Sequence, residues 1–263
     1  MYIKTVSPSK IKVFDECKAK YKFRYIHRLK DEYNETVSKD ALQFGQFIHK
    51  IFEDGVDTQT EEGLFEIAAS IRSQYTFGQE KEKLTERCLK HFFNFNKNLS
   101  ENVSTEMVFS IDTGMDFEVN GVIDRIVKGS TGKYLVIDYK TSKRPTPKRE
   151  LYTDVQLRMY TYAVHKMYNI PVEDITVGHY YPHLDKLVTL KYSSSQIRMF
   201  LNEQKKKIWD IRKRKLENFP CQINQFCNWC GFKDICPAQG ASPARLQEIL
   251  TERKNKKKPK GGT

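Results

Sequence analysis

Gly121–Lys140 reads GVIDRIVKGSTGKYLVIDYK, and its pattern decides how the rest of the chain is read. Apolar residues alternate over residues 117–127, with Asp124 embedded among them. Gly129-Ser130-Thr131-Gly132 is a turn signal, and residues 134–140 alternate again. Two strands joined by a turn follow. Side chains alternate faces along a strand, so Asp138 and Lys140 share a face with Tyr134 and Val136. The hairpin can bring Asp124 beside Asp138.

Two carboxylates and a lysine at the end of an apolar hairpin are costly without a compensating ion. Hard divalent cations such as Mg²⁺ take carboxylate and water oxygens. A nearby lysine can orient an attacking water or stabilise charge on a phosphate. A surface hairpin with ordinary charges is the plainer alternative.

The 263 residues carry 45 Lys and Arg against 33 Asp and Glu, a net charge of +12 and a pI of about 9.3. That balance favours a polyanionic partner, nucleic acid before membrane surface. No apolar run is long enough to predict a transmembrane helix, and no secretory segment opens the chain. A reducing, cytoplasmic setting (a host-cell cytoplasm for a viral protein) is expected, where six cysteines suggest metal or cluster ligation over disulfides.

Ser7-Pro8-Ser9 signals a helix start, and Ile11, Phe14, Cys17, Tyr21 and Tyr25 form one stripe beyond it. Residues 30–40 read as a polar loop. A second helix over 41–55 carries Gly45 and His49 four apart, on adjacent parts of one face. Two more helices fill 60–99, broken near Phe77-Gly78, with Cys88 on an apolar stripe. Glu106 opens the next strand region and reads equally as a surface residue.

Past the hairpin, residues 141–149 are basic and broken by proline, hence a loop. Its Lys143, Arg144, Lys148 and Arg149 are candidate phosphate contacts. A helix over 151–168 presents Gln156 and Tyr160 on one face. A strand pair follows, then a long helix from Ser193–Ser195 to about Arg214, ending in a basic run whose Arg212 and Arg214 are further candidate DNA contacts. Cys221, Cys227, Cys230 and Cys236 lie within sixteen residues. Either these four hold Zn²⁺, or Cys227, Cys230 and Cys236 join a distant Cys17 around a [4Fe–4S] cluster; spacing leaves both open. Residues 241–263 end in a lysine run and are expected to be disordered.

Gly121-x-Ile123-Asp124-Arg125 followed by Ile137-Asp138-Tyr139-Lys140 resembles the core of the PD-(D/E)XK nucleases, and within them the RecB-like branch. Gly45-x-x-x-His49 and Gln156-x-x-x-Tyr160 resemble that branch's first and fourth motifs, and an acid at Glu106 fits its pattern. Cys227-x2-Cys230-x5-Cys236-Pro237, with Cys17, is similar to the ligand run of iron–sulfur RecB-like nucleases of the AddB and CRISPR-adaptation exonuclease type; Cys221 has no place in it.

The resemblance implies an α/β fold, a restriction-endonuclease-like core with a central mixed sheet flanked by helices, and an iron–sulfur module joining the N- and C-termini. It implies one domain over 1–240, comprising a cluster-ligand helix at 7–30, a catalytic core at 41–192 and the basic helix with cysteine run at 193–240. The implied metal site is Mg²⁺ or Mn²⁺ on His49, Asp124, Asp138 and the Tyr139 carbonyl, with Lys140, Gln156 and Tyr160 completing the catalytic group. The implied activity is DNA hydrolysis, on single strands by preference and as an exonuclease, in repair, recombination or CRISPR adaptation. No helicase P-loop is present, so a helicase or integrase partner is expected. A silent DNA-binding subunit and a zinc-ribbon binder are the alternatives.

Overall fold

The computed structural model describes residues 4–30 and 37–256. Most of the 30–40 stretch read as a loop, and the last residues of the tail, 257–263, lie outside the described residues. The chain divides into two compact units, residues 1–8 with 39–212 and residues 9–38 with 213–263.

The larger unit holds a six-stranded mixed sheet. Its strands are β1 (Thr5–Val6), β2 (Glu101–Asp112), β3 (Glu118–Lys128), β4 (Tyr134–Tyr139), β5 (Ile175–Tyr181) and β6 (Lys186–Leu190). The expected hairpin is β3–β4, closed by Gly129 N–H on Lys133 O (2.7 Å). Gly132 takes φ +77°, which a side chain would resist. β2 pairs antiparallel along β3, and on the other edge of β3 the short β1 and then β4 take turns. β4 and β5 run parallel, the connection being a helical crossover; β5 and β6 are antiparallel.

Three helices bury one face of this sheet. They are α3 (Val37–Asp54), α4 (Glu61–Ile71) and α5 (Gln79–Lys97), and the break near Phe77-Gly78 falls where the sequence put it. Thr60 caps α4 by accepting from Gly63 N–H. Phe44, Phe47, Ile48, Phe52, Leu89 and Phe92 pack with Ile137, Tyr139 and Tyr180 of the strands. Cys88 lies buried among them, as its stripe predicts, and burial pushes its thiol up to about 12. The opposite face takes α7 (Val155–Tyr168), which starts on an Asp154 cap and ends at Asn169 in the left-handed conformation. One turn precedes it, α6 (Lys148–Leu151), so the basic stretch expected to be loop throughout is helical at its end. α8 (Ser194–Lys213) follows β6 and stacks Phe200 under Arg158 of α7.

The smaller unit joins the two ends of the chain. The N-terminal stripe predicts one helix, yet α1 (Pro8–Glu16) stops before Cys17, whose backbone is extended (φ −161°, ψ 115°), and α2 (Lys18–Tyr21) restarts beyond it. Ala19 N–H then donates to Pro220 O, and Phe23 packs with Phe232 and Ile235. The tail expected to be disordered contains α9 (Pro243–Lys256), because Leu246, Ile249 and Leu250 pack on that same apolar group. No described helix is long and apolar enough to cross a membrane.

Gly178 shows how tightly the sheet is built beside Asp138. A Cβ there would lie 2.3 Å from Val188 O and 2.8 Å from Thr189 Cγ2. Gly178→Ala is expected to cost about 1–3 kcal/mol through overpacking. Thermal unfolding should read this as a Tm lower by several degrees, and an unchanged Tm would show that the β5–β6 pair yields.

Candidate active site

The pairing of β3 with β4 ends at Arg125↔Ile137, and the two acids sit just past that last pair. Where the strands separate, Asp124 Oδ2 accepts from the freed Tyr139 N–H at 2.7 Å. Asp124 is 8% exposed and Asp138 2%. The hairpin thus does what its alternation implies: it brings two carboxylates to one end of the sheet.

α3 supplies the histidine. His49 Nε2 lies 3.0 Å from Tyr139 O, and a carbonyl only accepts, so Nε2 carries the proton. Burial lowers the His49 pKa against the pull of Asp138 and of the Tyr139 hydrogen bond, so the ring is neutral near pH 7. Its bare Nδ1 then faces Asp124 Oδ2 at 3.5 Å and Glu106 Oε1 at 4.0 Å. Three lone-pair donors from three elements meet within 4.8 Å, an arrangement that a cation would stabilise and that is repulsive alone. A donor set of one imidazole and two carboxylates suits a divalent ion.

Glu106 reaches this group by a local distortion. It sits inside β2 with φ +46°, between the pairs Thr105↔Arg125 and Met107↔Ile123. A non-glycine residue held there stores strain, of the kind that persists where the surroundings fix a side chain for use. Burial, then the charges of Glu53 and Asp138, raise its pKa despite Lys50. Gly45, one turn before His49, leaves room for Thr141: a Cβ would meet Thr141 Oγ1 at 3.4 Å.

The structure groups His49 and Asp124 with Glu106, while Asp138 is engaged on its other side. Lys140 Nζ lies 2.6 Å from Asp138 Oδ2 and donates to Gln156 Oε1 at 3.1 Å. Gln156 Nε2 donates to the Tyr160 hydroxyl at 2.7 Å, and that hydroxyl donates to the Val122 carbonyl. Lysine, glutamine, tyrosine and strand backbone form one directed chain. Burial works against the charge on Lys140, but the attraction and hydrogen bond of Asp138 exceed it and raise the pKa. The ammonium is therefore protonated at neutral pH. The Tyr139 carbonyl, expected among the metal ligands, accepts from His49 Nε2–H with one of its two lone pairs.

His179 is a member of the site that sequence reading missed. It is 2% exposed and pairs with Asp138 across the parallel β4–β5 register. The Tyr181 oxygen accepts from Thr146 N–H, which leaves its proton for His179 Nδ1 at 3.4 Å. His179 Nε2 is then the protonated nitrogen, 3.8 Å from Asp138 Oδ2. A single histidine in an apolar strand carries no signal of this role; only the pairing register supplies it.

Of the expected phosphate contacts, Lys143, Arg144, Lys148 and Arg149 are exposed. Arg212 is instead held by Asp116, at 2.5 Å to its carboxylate and 2.8 Å to its carbonyl. Arg214 donates to Asn218 O at 2.9 Å.

The smaller unit gathers five thiols around one cavity: Cys17, Cys221, Cys227, Cys230 and Cys236. Cys17 faces it from the break between α1 and α2, where its sulfur accepts from Gln222 N–H at 3.5 Å. Cys221 Sγ lies 3.5 Å from Cys236 Sγ, so Cys221, which has no place in the resembled pattern, stands beside the other four at the cavity. Burial, then Cys221, pushes the Cys236 thiol up to about 11. A convergent set of five cysteine sulfurs suits a thiophilic metal centre.

Residues 5–237 match the family model of the PD-(D/E)XK nuclease superfamily. The chain belongs to that superfamily and is an enzyme of its nuclease class. It resembles an ATP-dependent helicase/deoxyribonuclease component of Streptococcus equi subsp. zooepidemicus, 27% identical over 174 residues, which are 60% of this chain and 16% of that protein. The corresponding helicase/deoxyribonuclease component of Streptococcus mutans serotype c is 25% identical over 203 residues, 69% of this chain and 18% of the relative. The chain therefore spans less than a fifth of these relatives. Among solved structures, a candidate exonuclease from Eubacterium rectale shares the fold, with TM-score 0.52, 12% identity and 82% of each chain covered.

Burial, then Asp138, raises the Asp124 pKa well above the ordinary carboxylate value. An acid whose pKa rises on folding favours the folded state only while protonated. Metal-free stability should thus fall as pH climbs from the ordinary aspartate range to the raised value. Asp124→Asn is expected to raise the metal-free Tm at pH 7, by roughly 2–4 °C for each kcal/mol relieved. The gain should vanish near pH 4, and added Mn²⁺ should stabilise only the wild type. A variant less stable than wild type at pH 7 without metal would contradict this electrostatic strain.

Proposed function

We propose that this chain is a divalent-metal-dependent deoxyribonuclease acting on single-stranded DNA, as an exonuclease. One observation carries the reading: His49, Glu106 and Asp124 present a donor group beside a lysine held protonated by Asp138. Mg²⁺ or Mn²⁺ on that group would screen the phosphate and acidify a water.

The remaining work falls to the chain itself. Lys140 offers a fixed positive charge to the phosphate oxygens as the phosphodiester accumulates negative charge. Asp138 keeps that charge in place, and Gln156 fixes the lysine's direction through Tyr160 and the Val122 carbonyl. Protonated as it is, Lys140 stabilises charge rather than removing a proton. Exposed Lys143, Arg144, Lys148 and Arg149 would bind the phosphate backbone without reading sequence. The relatives' description as helicase/deoxyribonuclease components supports DNA as substrate and a strand delivered by a helicase, in recombination and repair. A place in CRISPR adaptation, with an integrase as partner, rests on the sequence resemblance.

For the smaller unit we propose a [4Fe–4S] cluster on Cys17, Cys227, Cys230 and Cys236, with a structural role. Such a centre would tie residues some two hundred positions apart and oppose opening of that long loop. The resemblance and the placement of Cys17 at the cavity support this set over Zn²⁺ on the four C-terminal cysteines.

Two experiments test these readings. With end-labelled single-stranded DNA and Mn²⁺, Mg²⁺ or EDTA, wild type should shorten the strand only with metal. Asp138→Ala should lose at least about a hundredfold in rate while keeping DNA affinity; wild-type activity in EDTA, or an active variant, would sink the assignment. After anaerobic purification, iron and acid-labile sulfide should be lost in Cys17→Ala and retained in Cys221→Ala. The reverse pattern, with zinc bound, would favour the local four-cysteine site.

A further inference from the structure

Residues 9–38 and 213–263, the segments of the smaller unit, hold 19 Lys and Arg against 9 Asp and Glu, so they carry +10 of the chain's +12. The charge that points to a polyanion is therefore concentrated outside the unit that bears the catalytic group. In the smaller unit the loop between Cys221 and Cys230 displays three large apolar side chains. Ile223 is 76% exposed, Phe226 49% and Trp229 52%.

The loop is pinned. Asn224 donates from Nδ2 to Glu16 O and to Gln222 O, each at 3.1 Å, and its Oδ1 accepts from Phe226 N–H at 2.9 Å. Trp229 N–H donates to Phe226 O, and Cys230 N–H to Cys227 O. Two aromatic rings are thus left half exposed on a braced turn, where burial would ordinarily be preferred. Phe226 and Ile223 line the same cavity as Lys20 and Lys233, with Glu16 the one acid on it.

We infer that this loop is a base-stacking platform for single-stranded DNA, Phe226 and Trp229 taking base faces while Lys20 and Lys233 meet adjacent phosphates. The inference rests on the nuclease reading above and adds the surface that engages the strand. Stacking on exposed rings within a cationic surface is how single strands are held without sequence preference. A duplex hides its base faces, so the platform selects unpaired strands or frayed ends. An apolar docking surface for a protein would need no such excess of positive charge; that reading is an outcome of the test.

The chain has two tryptophans, so Trp209→Phe leaves Trp229 as the sole indole. In that background, with EDTA present, oligo-dT should quench the tryptophan fluorescence saturably, and salt should weaken the binding. Trp229→Phe should keep most of the oligo-dT affinity, whereas Trp229→Leu, apolar but without a π face, should lose about tenfold or more. In cleavage, the Leu variant should raise KM and leave kcat unchanged. Absence of quenching, or a Leu variant that binds as tightly as the Phe variant, overturns the platform; the second result points to a protein partner. The quench reads the native ring, so it decides even where a variant loses its iron. Metal-dependent cleavage without quenching sinks the platform alone, and quenching without cleavage sinks the nuclease reading alone.

Discussion

The site depends on like charge crowded into a poorly solvated place. Asp124, Asp138 and Glu106 approach where β3 and β4 part, and each is at least partly withdrawn from water. At effective protein dielectrics a pair of unit charges a few ångströms apart interacts by several kcal/mol. Lys140 answers Asp138, and the Tyr139 N–H answers Asp124, but Lys50 and Lys140 offset only part of what burial and the neighbouring carboxylates do to Glu106 and Asp124. The raised pKa values of Asp124 and Glu106 express that shortfall. A fold that places acids this way gives up stability for affinity toward a cation.

The scaffold accepts that cost because the rest of the larger unit is conventionally packed. Phe52 stacks on Phe92, both against Tyr139, and Phe95 stacks on Tyr180, so the apolar face beneath the site is rigid. Rigidity there is what keeps the Tyr139 peptide aimed, its N–H at Asp124 and its carbonyl at His49. One residue's backbone thereby fixes two of the three donor residues. The Lys140–Gln156–Tyr160–Val122 chain performs the same service from α7, ending on a strand carbonyl that cannot move without the sheet.

Much of this is legible in the residues, for identifiable reasons. Alternation sets strand faces, so Asp124, Asp138 and Lys140 fall together on that ground alone. The four-residue helical repeat does the same for Gly45 with His49 and Gln156 with Tyr160. What escapes depends on longer-range geometry. Glu106 is matched only by the family resemblance, because it joins the site through a left-handed residue inside a strand, and His179 escapes altogether because it joins through the register of two parallel strands separated by a crossover. The helix break at Cys17 interrupts an unbroken apolar stripe. The C-terminal helix is masked by its lysines, although Leu246, Ile249 and Leu250 have the spacing of a buried helical face.

The uneven charge bears on how the two units divide the task. The larger unit is nearly balanced, since ten of the twelve excess positive charges lie in the other segments. A catalytic group that took a divalent cation, as proposed above, would gain nothing from a surrounding cationic field, which would oppose metal entry. A strand-binding surface needs that field, because phosphate neutralisation drives association. Placing the acids and the cations in separate compact units would satisfy both demands of the proposed activity in one chain. The thiol cavity is built from both chain ends: a positively charged unit of two short segments has little core of its own, and the proposed metal centre would add cohesion to that of its apolar group, centred on Phe23, Phe232 and Ile235.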